Sequence, residues 1–202
     1  MAPVEAALDR LTDPTTQVSC HYLIHQTGRI DRLVPENKRA WHAGVSSWNE
    51  RKNINDYSIG IELDSLGDVF PQPLMESLVW LVGDIRTRYP IANSLILGHS
   101  DVAPLRKDDP SEHFDWEFLA RLNIGVFPTP AKIFEPLAST ETLQQCLKNI
   151  GYGIELTGDW DQQTVLTLKA FQRHFRRQKV DGVLDDETTA MLRAVEELYT
   201  SL

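Results

Sequence analysis

Two neighbouring segments decide the fold class of this chain, Tyr57-Ser-Ile-Gly-Ile-Glu-Leu63 and Pro71-Gln-Pro-Leu-Met-Glu-Ser-Leu-Val-Trp-Leu-Val-Gly-Asp-Ile-Arg-Thr-Arg-Tyr89. The first alternates, which predicts a strand with Ile59 and Ile61 on one face and Glu62 on the other. The second repeats apolar residues at helical spacing between flanking prolines, which predicts a helix. A strand followed by a long helix is typical of α/β domains.

Shorter patterns on both sides of these segments extend the α/β prediction. A short helix is predicted near residues 5–12, and a hairpin signal joins two predicted strands, Ser19 to His25 and Arg29 to Val34. Beyond the long helix, Ser94 to Leu97 is expected to form a short buried strand and Asp115 to Leu122 a second helix. Since strands and helices interleave, we expect a mixed central sheet flanked by helices.

A proline-rich stretch separates this region from a purely helical one. Residues 126–136 contain three prolines and predict a semi-rigid linker. Beyond it, apolar residues recur at helical spacing in three segments, with glycine-containing turns between them: residues 140–150, 162–175 and 186–198. We therefore predict three parts: an α/β domain over residues 1–126, a linker over 127–138 and a small three-helix domain over 139–202.

The composition is that of an ordinary globular protein and argues against some partners. The 202 residues carry a formal net charge of −9 at pH 7, which disfavours nucleic acid and anionic lipid. Cys20 and Cys146 match neither a zinc spacing nor a disulfide framework, so two buried free thiols are expected. No stretch predicts a transmembrane segment, and residues 1–10 do not have the pattern of a signal peptide. They enter a helical pattern at once, as expected of a chain cut inside a domain.

The segment from Leu97 to Pro110 carries the densest chemistry in the chain. We expect it to form one short loop that holds His99, Lys107 and Asp109. An imidazole and a carboxylate suit zinc, and a lysine beside such a metal can stabilise an oxyanion. Because a catalytic zinc usually takes three protein ligands, this segment would supply two of the three.

Six sequence blocks resemble, in order and with short gaps, the zinc-dependent N-acetylmuramoyl-L-alanine amidases. They are Val18-Ser-Cys-His-Tyr-Leu-Ile24, Leu33-Val-Pro35, Arg39-Ala-Trp-His-Ala-Gly-Val-Ser-Ser-Trp48, Asn55-Asp-Tyr-Ser-Ile-Gly-Ile-Glu62, Gly98-His-Ser-Asp-Val-Ala-Pro104 and Arg106-Lys-Asp-Asp-Pro110. The resemblance covers about residues 5 to 125. Enzymes of this family cut the amide between the muramic acid lactyl group and the first alanine of the stem peptide. Thr157-Gly-Asp-Trp-Asp161 and Asp181-Gly-Val-Leu-Asp185 resemble the small peptidoglycan-binding domain of two-domain bacterial members.

The resemblance implies a role for each matching residue. His99 and Asp109 would be zinc ligands, Glu62 would handle the water proton, and Lys107 would steady the developing oxyanion. The wall of the substrate groove would include three consecutive residues, Trp41, His42 and Ala43. The implied cofactor is Zn²⁺, and the implied partner is peptidoglycan or a muropeptide.

The family's remaining zinc ligand is a histidine in a strand for which this sequence has no counterpart. If the chain is a fragment, that ligand lies upstream of Met1. Otherwise the chain binds peptidoglycan without hydrolysis, or recruits His42 or His21 as a substitute ligand. His21 alone is more typical of a structural histidine. We favour the enzyme because Glu62, His99, Lys107 and Asp109 are all present.

Several further expectations follow from the same residues. Trp41 could equally be a core residue, because tryptophan is largely buried on average. The aromatic residues of the tail are expected to be core rather than sugar-stacking, namely Trp160, Phe171 and Phe175. A domain that binds the wall suggests the cell envelope, periplasmic or associated with the outer membrane, and a monomer is expected.

Overall fold

The computed structural model describes residues 4–65, 69–130 and 135–201. Its helices and strands are α1 (Val4–Thr12), β1 (Tyr22–Ile24), β2 (Ile30–Arg32), β3 (Ser47–Trp48), β4 (Arg51–Lys52), β5 (Ile61–Leu63), α2 (Gln72–Arg86), α3 (His99–Val102), α4 (Trp116–Arg121), α5 (Thr140–Ile150), α6 (Gln162–Phe175) and α7 (Asp186–Thr200). Two compact units share the chain, residues 1–45 with 53–91, and residues 46–52 with 92–202. Of the helices described, none has the length and apolar character that crossing a membrane requires.

The first unit contains a mixed three-stranded sheet in the order β2-β1-β5. Strand β1 pairs antiparallel with β2, with Tyr22 opposite Arg32, and parallel with β5, with Leu23 opposite Glu62. All three residues of β1 are buried, which suits the central strand of a covered sheet. The predicted mixed α/β fold is confirmed, with strands shorter than the sequence pattern suggests.

Helix α2 packs against β1 and supplies much of the apolar core of this unit. Its buried side chains recur at helical spacing and include Leu74, Leu78, Leu81 and Ile85. The helix starts directly after Pro71, where a missing N–H costs no intrahelical hydrogen bond. The helix predicted between the flanking prolines is therefore confirmed.

The expected strand from Ser94 to Leu97 is wrong. Residues Asn93–Leu95 form a 3₁₀ turn in which the Leu95 N–H donates to the Ala92 carbonyl at 3.0 Å. Leu95 is half exposed, whereas a central strand residue would be buried. A run of three apolar residues, Leu95 to Leu97, carries no periodicity that separates a strand from a turn. The following segment, expected to be one loop, begins instead as the helix α3.

The three predicted C-terminal helices are confirmed as α5, α6 and α7, within the second unit. A buried glutamine in α5, Gln144, accepts from the Gly158 N–H at 2.9 Å and donates to Thr164 Oγ1 at 2.8 Å. Gln172 in α6 makes the equivalent pair of hydrogen bonds. It accepts from the Gly182 N–H of the next turn and donates to Thr188 Oγ1 of α7. Through these repeated hydrogen bonds, each glutamine connects the turn after its own helix to the following helix.

The burial predictions for cysteine and for the tail aromatic residues are confirmed in part. Both Cys20 and Cys146 are free and buried, as expected. Phe171 and Phe175 are buried in the helical core. The core expectation for Trp160 is wrong, because this residue lies on the turn before α6 and is 46% exposed.

A buried carboxylate ties β1 to the end of α2. Glu36 accepts the hydroxyl hydrogen of Tyr22 at 2.6 Å and two guanidinium N–H groups of Arg88, at 2.7 and 3.0 Å. The Glu36 side chain is 6% exposed. The hydrogen bonds from Arg88 outweigh the effect of burial and lower the pKa of Glu36 from 4.5 to about 2.

We predict that Glu36→Gln lowers the free energy of unfolding at pH 7 by about 1–3 kcal/mol, because a charge-assisted pair is lost. Since the folded pKa of Glu36 is depressed, its contribution is complete above the ordinary value of 4.5 and is lost as the pH falls towards about 2. Urea unfolding of both proteins across this pH range measures the difference. Glu76→Gln, at an exposed position of α2, is the matched control. A difference that stays constant with pH would contradict the prediction.

Candidate active site

The structure brings His99 and Asp109 into contact in the second unit. His99 is the first residue of α3, and its Nδ1 lies 3.1 Å from Oδ2 of Asp109. A backbone hydrogen bond reinforces this approach, because the Ser100 N–H donates to the Asp109 carbonyl at 2.8 Å. The His99 side chain is 16% exposed and that of Asp109 is 53% exposed, so solvent reaches the pair mainly at Asp109.

The positive charge of Lys107 also stabilises the ionised form of the Asp109 carboxylate. Burial raises the pKa of the Asp109 carboxyl, but the hydrogen bond and charge of His99 and the charge of Lys107 outweigh it and lower that pKa below its ordinary value. Asp109 is therefore an ionised acceptor at neutral pH. The three predicted residues of this segment form one electrostatic cluster.

The spacing of this pair is compatible with two ligands of one zinc ion. Tetrahedral ligands at about 2.0–2.1 Å from zinc lie about 3.3 Å apart, close to the separation of Nδ1 and Oδ2. The donor set of an imidazole and a carboxylate also suits zinc. Within residues 4–65, 69–130 and 135–201, no cluster of three or more potential ligands occurs. The donors present therefore fit zinc in kind and spacing and account for two ligands.

Glu62 lies in the first unit, on the edge strand β5, opposite Leu23 of β1. The buried thiol of Cys20 lies nearby. Burial raises the pKa of Cys20 to about 12, and the negative charge of Glu62 adds to this shift. The thiol is therefore protonated at neutral pH.

Hydrogen bonds from side chains fix the backbone of Trp41, His42 and Ala43, which also lie in the first unit. The buried Asn55 side chain accepts from the His42 N–H at 3.0 Å and the Ala43 N–H at 2.8 Å through the same oxygen. Ser19 accepts from the Trp41 N–H at 3.0 Å. With its backbone fixed, the Trp41 side chain is 50% exposed, so the core alternative for this residue is wrong.

His21 is a structural histidine. Its Nδ1 accepts from the Gly60 N–H at 2.9 Å, and its Nε2 lies 3.0 Å from the Lys38 carbonyl, to which it can only donate. Both ring nitrogens of this buried side chain are occupied. His21 is therefore not a substitute zinc ligand.

Two residues that the sequence analysis did not single out position this segment. Asn55 holds the two backbone amides, and Gly60 leaves room for the imidazole of His42, because a Cβ at position 60 would overlap that ring. Both lie in the block from Asn55 to Glu62, in which the alternation pattern drew attention only to Glu62. A glycine inside a predicted strand can indicate that another group packs closely against the backbone there. That signal could have identified Gly60.

We predict that Gly60→Ala lowers the free energy of unfolding by about 1–3 kcal/mol, because the added methyl group displaces the His42 ring. Gly83→Ala in α2 is the matched control, since its new Cβ meets no atom within 4 Å. That control is expected to raise the stability by about 0.5–1 kcal/mol. Chemical denaturation checks both variants, and equal effects at the two glycines would refute the packing argument.

The predicted site residues are divided between the two units of the chain. Glu62 and the segment of Trp41, His42 and Ala43 belong to the first unit, and the cluster of His99, Lys107 and Asp109 belongs to the second. Their assigned roles stay predictions.

Sequence comparisons identify two families along the chain. The profile of the N-acetylmuramoyl-L-alanine amidase family matches residues 2–112, and that of a peptidoglycan binding domain matches residues 138–192. The chain is 35% identical to the N-acetylmuramoyl-L-alanine amidase AmiD of Escherichia coli over 222 residues, covering 96% of this chain and 79% of the relative. It is 42% identical to the 1,6-anhydro-N-acetylmuramyl-L-alanine amidase AmpD of Citrobacter freundii, covering 57% of this chain and 61% of the relative.

Among the solved structures that resemble nearly the whole chain, two contain a bound anhydromuramyl peptide. One is E. coli AmiD in complex with the substrate anhydro-N-acetylmuramic acid-L-Ala-D-gamma-Glu-L-Lys, with a TM-score of 0.87, 34% identity, and coverage of 98% of this chain and 86% of that one. The other is AMPDH3 of Pseudomonas aeruginosa in complex with anhydromuramic pentapeptide, with a TM-score of 0.87, 35% identity, and coverage of 98% and 88%. The residues matched by the amidase profile make up more than half of the sequence. The chain therefore belongs to the N-acetylmuramoyl-L-alanine amidase family.

Proposed function

We propose that this protein is a zinc-dependent enzyme that hydrolyses the amide bond between N-acetylmuramic acid and L-alanine in peptidoglycan or muropeptides. The observation that carries the proposal is the 3.1 Å contact between His99 Nδ1 and Asp109 Oδ2 in a chain of an amidase family. The solved complexes of AmiD and AMPDH3 with anhydromuramyl peptides support a muropeptide as the substrate class.

The chemistry of amide hydrolysis assigns a task to each residue. His99 and Asp109 would hold zinc, which when bound polarises the scissile carbonyl and lowers the pKa of water towards about 7. Glu62 takes a proton from the attacking water and passes it to the leaving amine of alanine. Lys107 brings positive charge to the oxyanion that develops on the carbonyl oxygen. Trp41, His42 and Ala43 line the groove, where the half-exposed indole offers an apolar face to the sugar.

The C-terminal helical domain, which we place at residues 139–202 after a linker at 127–138, would dock on peptidoglycan. A substrate of this kind supports a place of action in the cell envelope, in the periplasm or at the outer membrane. The monomeric state stays a prediction.

We predict that the purified protein retains zinc after dialysis and that His99→Ala and Asp109→Ala each weaken zinc binding by more than about tenfold. His113→Ala is the matched control and should retain the metal. It changes an exposed histidine between α3 and α4. Equilibrium dialysis with elemental analysis measures the metal content. A protein that sediments with sacculi but holds no zinc would instead support a non-catalytic peptidoglycan binder.

We predict that Glu62→Gln lowers the rate of muropeptide cleavage by about 10²–10⁴-fold while zinc is retained, because the proton carrier is lost and the metal ligands are untouched. Mass spectrometry of the products should show a free lactyl carboxyl on muramic acid and a free stem peptide. Glu76→Gln on α2 serves as the control and should cleave normally. Unchanged activity of the Glu62 variant would remove this residue from the mechanism, and cleavage within the stem peptide would indicate a different hydrolase.

A further inference from the structure

A carboxylate two residues beyond His99 is buried and has both of its oxygens occupied. Asp101 is 1% exposed. Its Oδ2 accepts from the Gly98 N–H at 2.7 Å and from His174 Nδ1 at 2.8 Å, and its Oδ1 accepts from the Tyr152 hydroxyl at 2.8 Å. One of the three donors is local, and the other two come from 51 and 73 residues further along the chain.

The two distant donors are themselves fixed by aromatic packing. The His174 ring stacks on Trp116 with centroids 3.9 Å apart, and on its neighbour Phe175 at 4.1 Å. Tyr152 is 2% exposed, and its ring packs edge-on against Trp48 at 5.0 Å. These contacts leave the two side chains little freedom to follow a carboxylate that moves. The two donors therefore restrict where the Asp101 carboxylate can lie.

Gly98 links Asp101 to the two proposed metal ligands. This residue precedes His99 directly, and it packs so closely against Pro110 that a Cβ would lie 2.8 Å from the proline Cδ. Pro110 in turn follows Asp109, and the Ser100 N–H donates to the Asp109 carbonyl at 2.8 Å. The residue whose N–H bonds to Asp101 is thus the neighbour of one proposed ligand in sequence, and it packs against the proline that follows the other.

We infer that Tyr152 and His174 are positioning residues for the His99–Asp109 pair, acting through Asp101. The peptidoglycan-binding part of the chain, which carries both donors, then maintains the geometry of the metal-ligand pair in addition to docking on the wall. This inference rests on the proposed function, because that proposal assigns the pair as zinc ligands. Outer groups that orient metal ligands affect metal affinity or activity by about 10–100-fold.

The test compares Tyr152→Phe with Tyr199→Phe in the full chain. Both changes remove one hydroxyl from a ring that packs against Trp48, but the buried Tyr199 hydroxyl has no hydrogen-bond partner among the described residues. We expect Tyr152→Phe to weaken zinc binding by about tenfold, measured by competition with a chromophoric chelator, and Tyr199→Phe to leave it unchanged. Equal zinc affinities in the two variants would overturn the inference.

A second pair of variants separates positioning from loss of fold. His174→Asn keeps a side-chain N–H donor near the position of Nδ1, whereas His174→Leu removes it. We expect the asparagine variant to restore most of the zinc affinity that the leucine variant loses, and the Co²⁺-loaded proteins to show matching changes in their visible spectra. If both variants lose affinity only in proportion to a lower unfolding midpoint, the role of His174 is structural and the inference fails.

Hydrogen exchange of the metal-free protein tests the inference independently of zinc. Tyr152→Phe should speed amide exchange within residues 97–110 relative to Tyr199→Phe. Equal exchange there would overturn the inference even if the wild type proves to be a zinc amidase. A wild-type protein that neither binds zinc nor cleaves muropeptide would refute the proposed function, while the exchange result would still decide whether Tyr152 positions the segment.

Discussion

The buried carboxylate of Asp101 is the constraint on which the second unit depends. A polar group removed from water must be hydrogen-bonded, and leaving a buried donor or acceptor unsatisfied typically costs about 1–3 kcal/mol. Here three donors from three separate segments converge on the two oxygens, and one of them is the backbone N–H beside the first proposed metal ligand. Folding of the C-terminal helices and ordering of the segment from Gly98 to Pro110 are therefore linked through one side chain.

The first unit depends on a steric constraint, the close packing of His42 against Gly60. Gly60 can carry no side chain because the His42 ring occupies that volume, while its N–H and carbonyl bond to His21 and Tyr22. Asn55 then fixes the neighbouring backbone with a single oxygen. The result is an exposed indole at Trp41 on a segment whose backbone cannot shift freely. Such a surface suits recognition, since a rigid backbone lowers the entropy lost on binding.

Elements with strong periodicity could be predicted from the sequence, and those set by distant contacts could not. Helix α2 and the three C-terminal helices follow from apolar spacing and flanking prolines or glycines, because a helix satisfies its backbone hydrogen bonds locally. The 3₁₀ turn at Asn93–Leu95 was not predicted because a run of three apolar residues, Leu95 to Leu97, occurs in strands and in turns alike. The exposure of Trp160 was missed because periodicity does not reveal which turn residues face solvent.

By itself, the sequence determined the mixed α/β class, the helical tail and the family, since these depend on local pattern and on blocks of matching residues. It also proposed His99, Lys107 and Asp109 as a group, because they lie within eleven residues. Only the tertiary structure decided that both ring nitrogens of His21 are occupied, that Asn55 and Gly60 position the segment from Trp41 to Ala43, and that Asp101 bonds to Tyr152 and His174. Those facts depend on pairing between residues far apart in the chain, which no local pattern encodes.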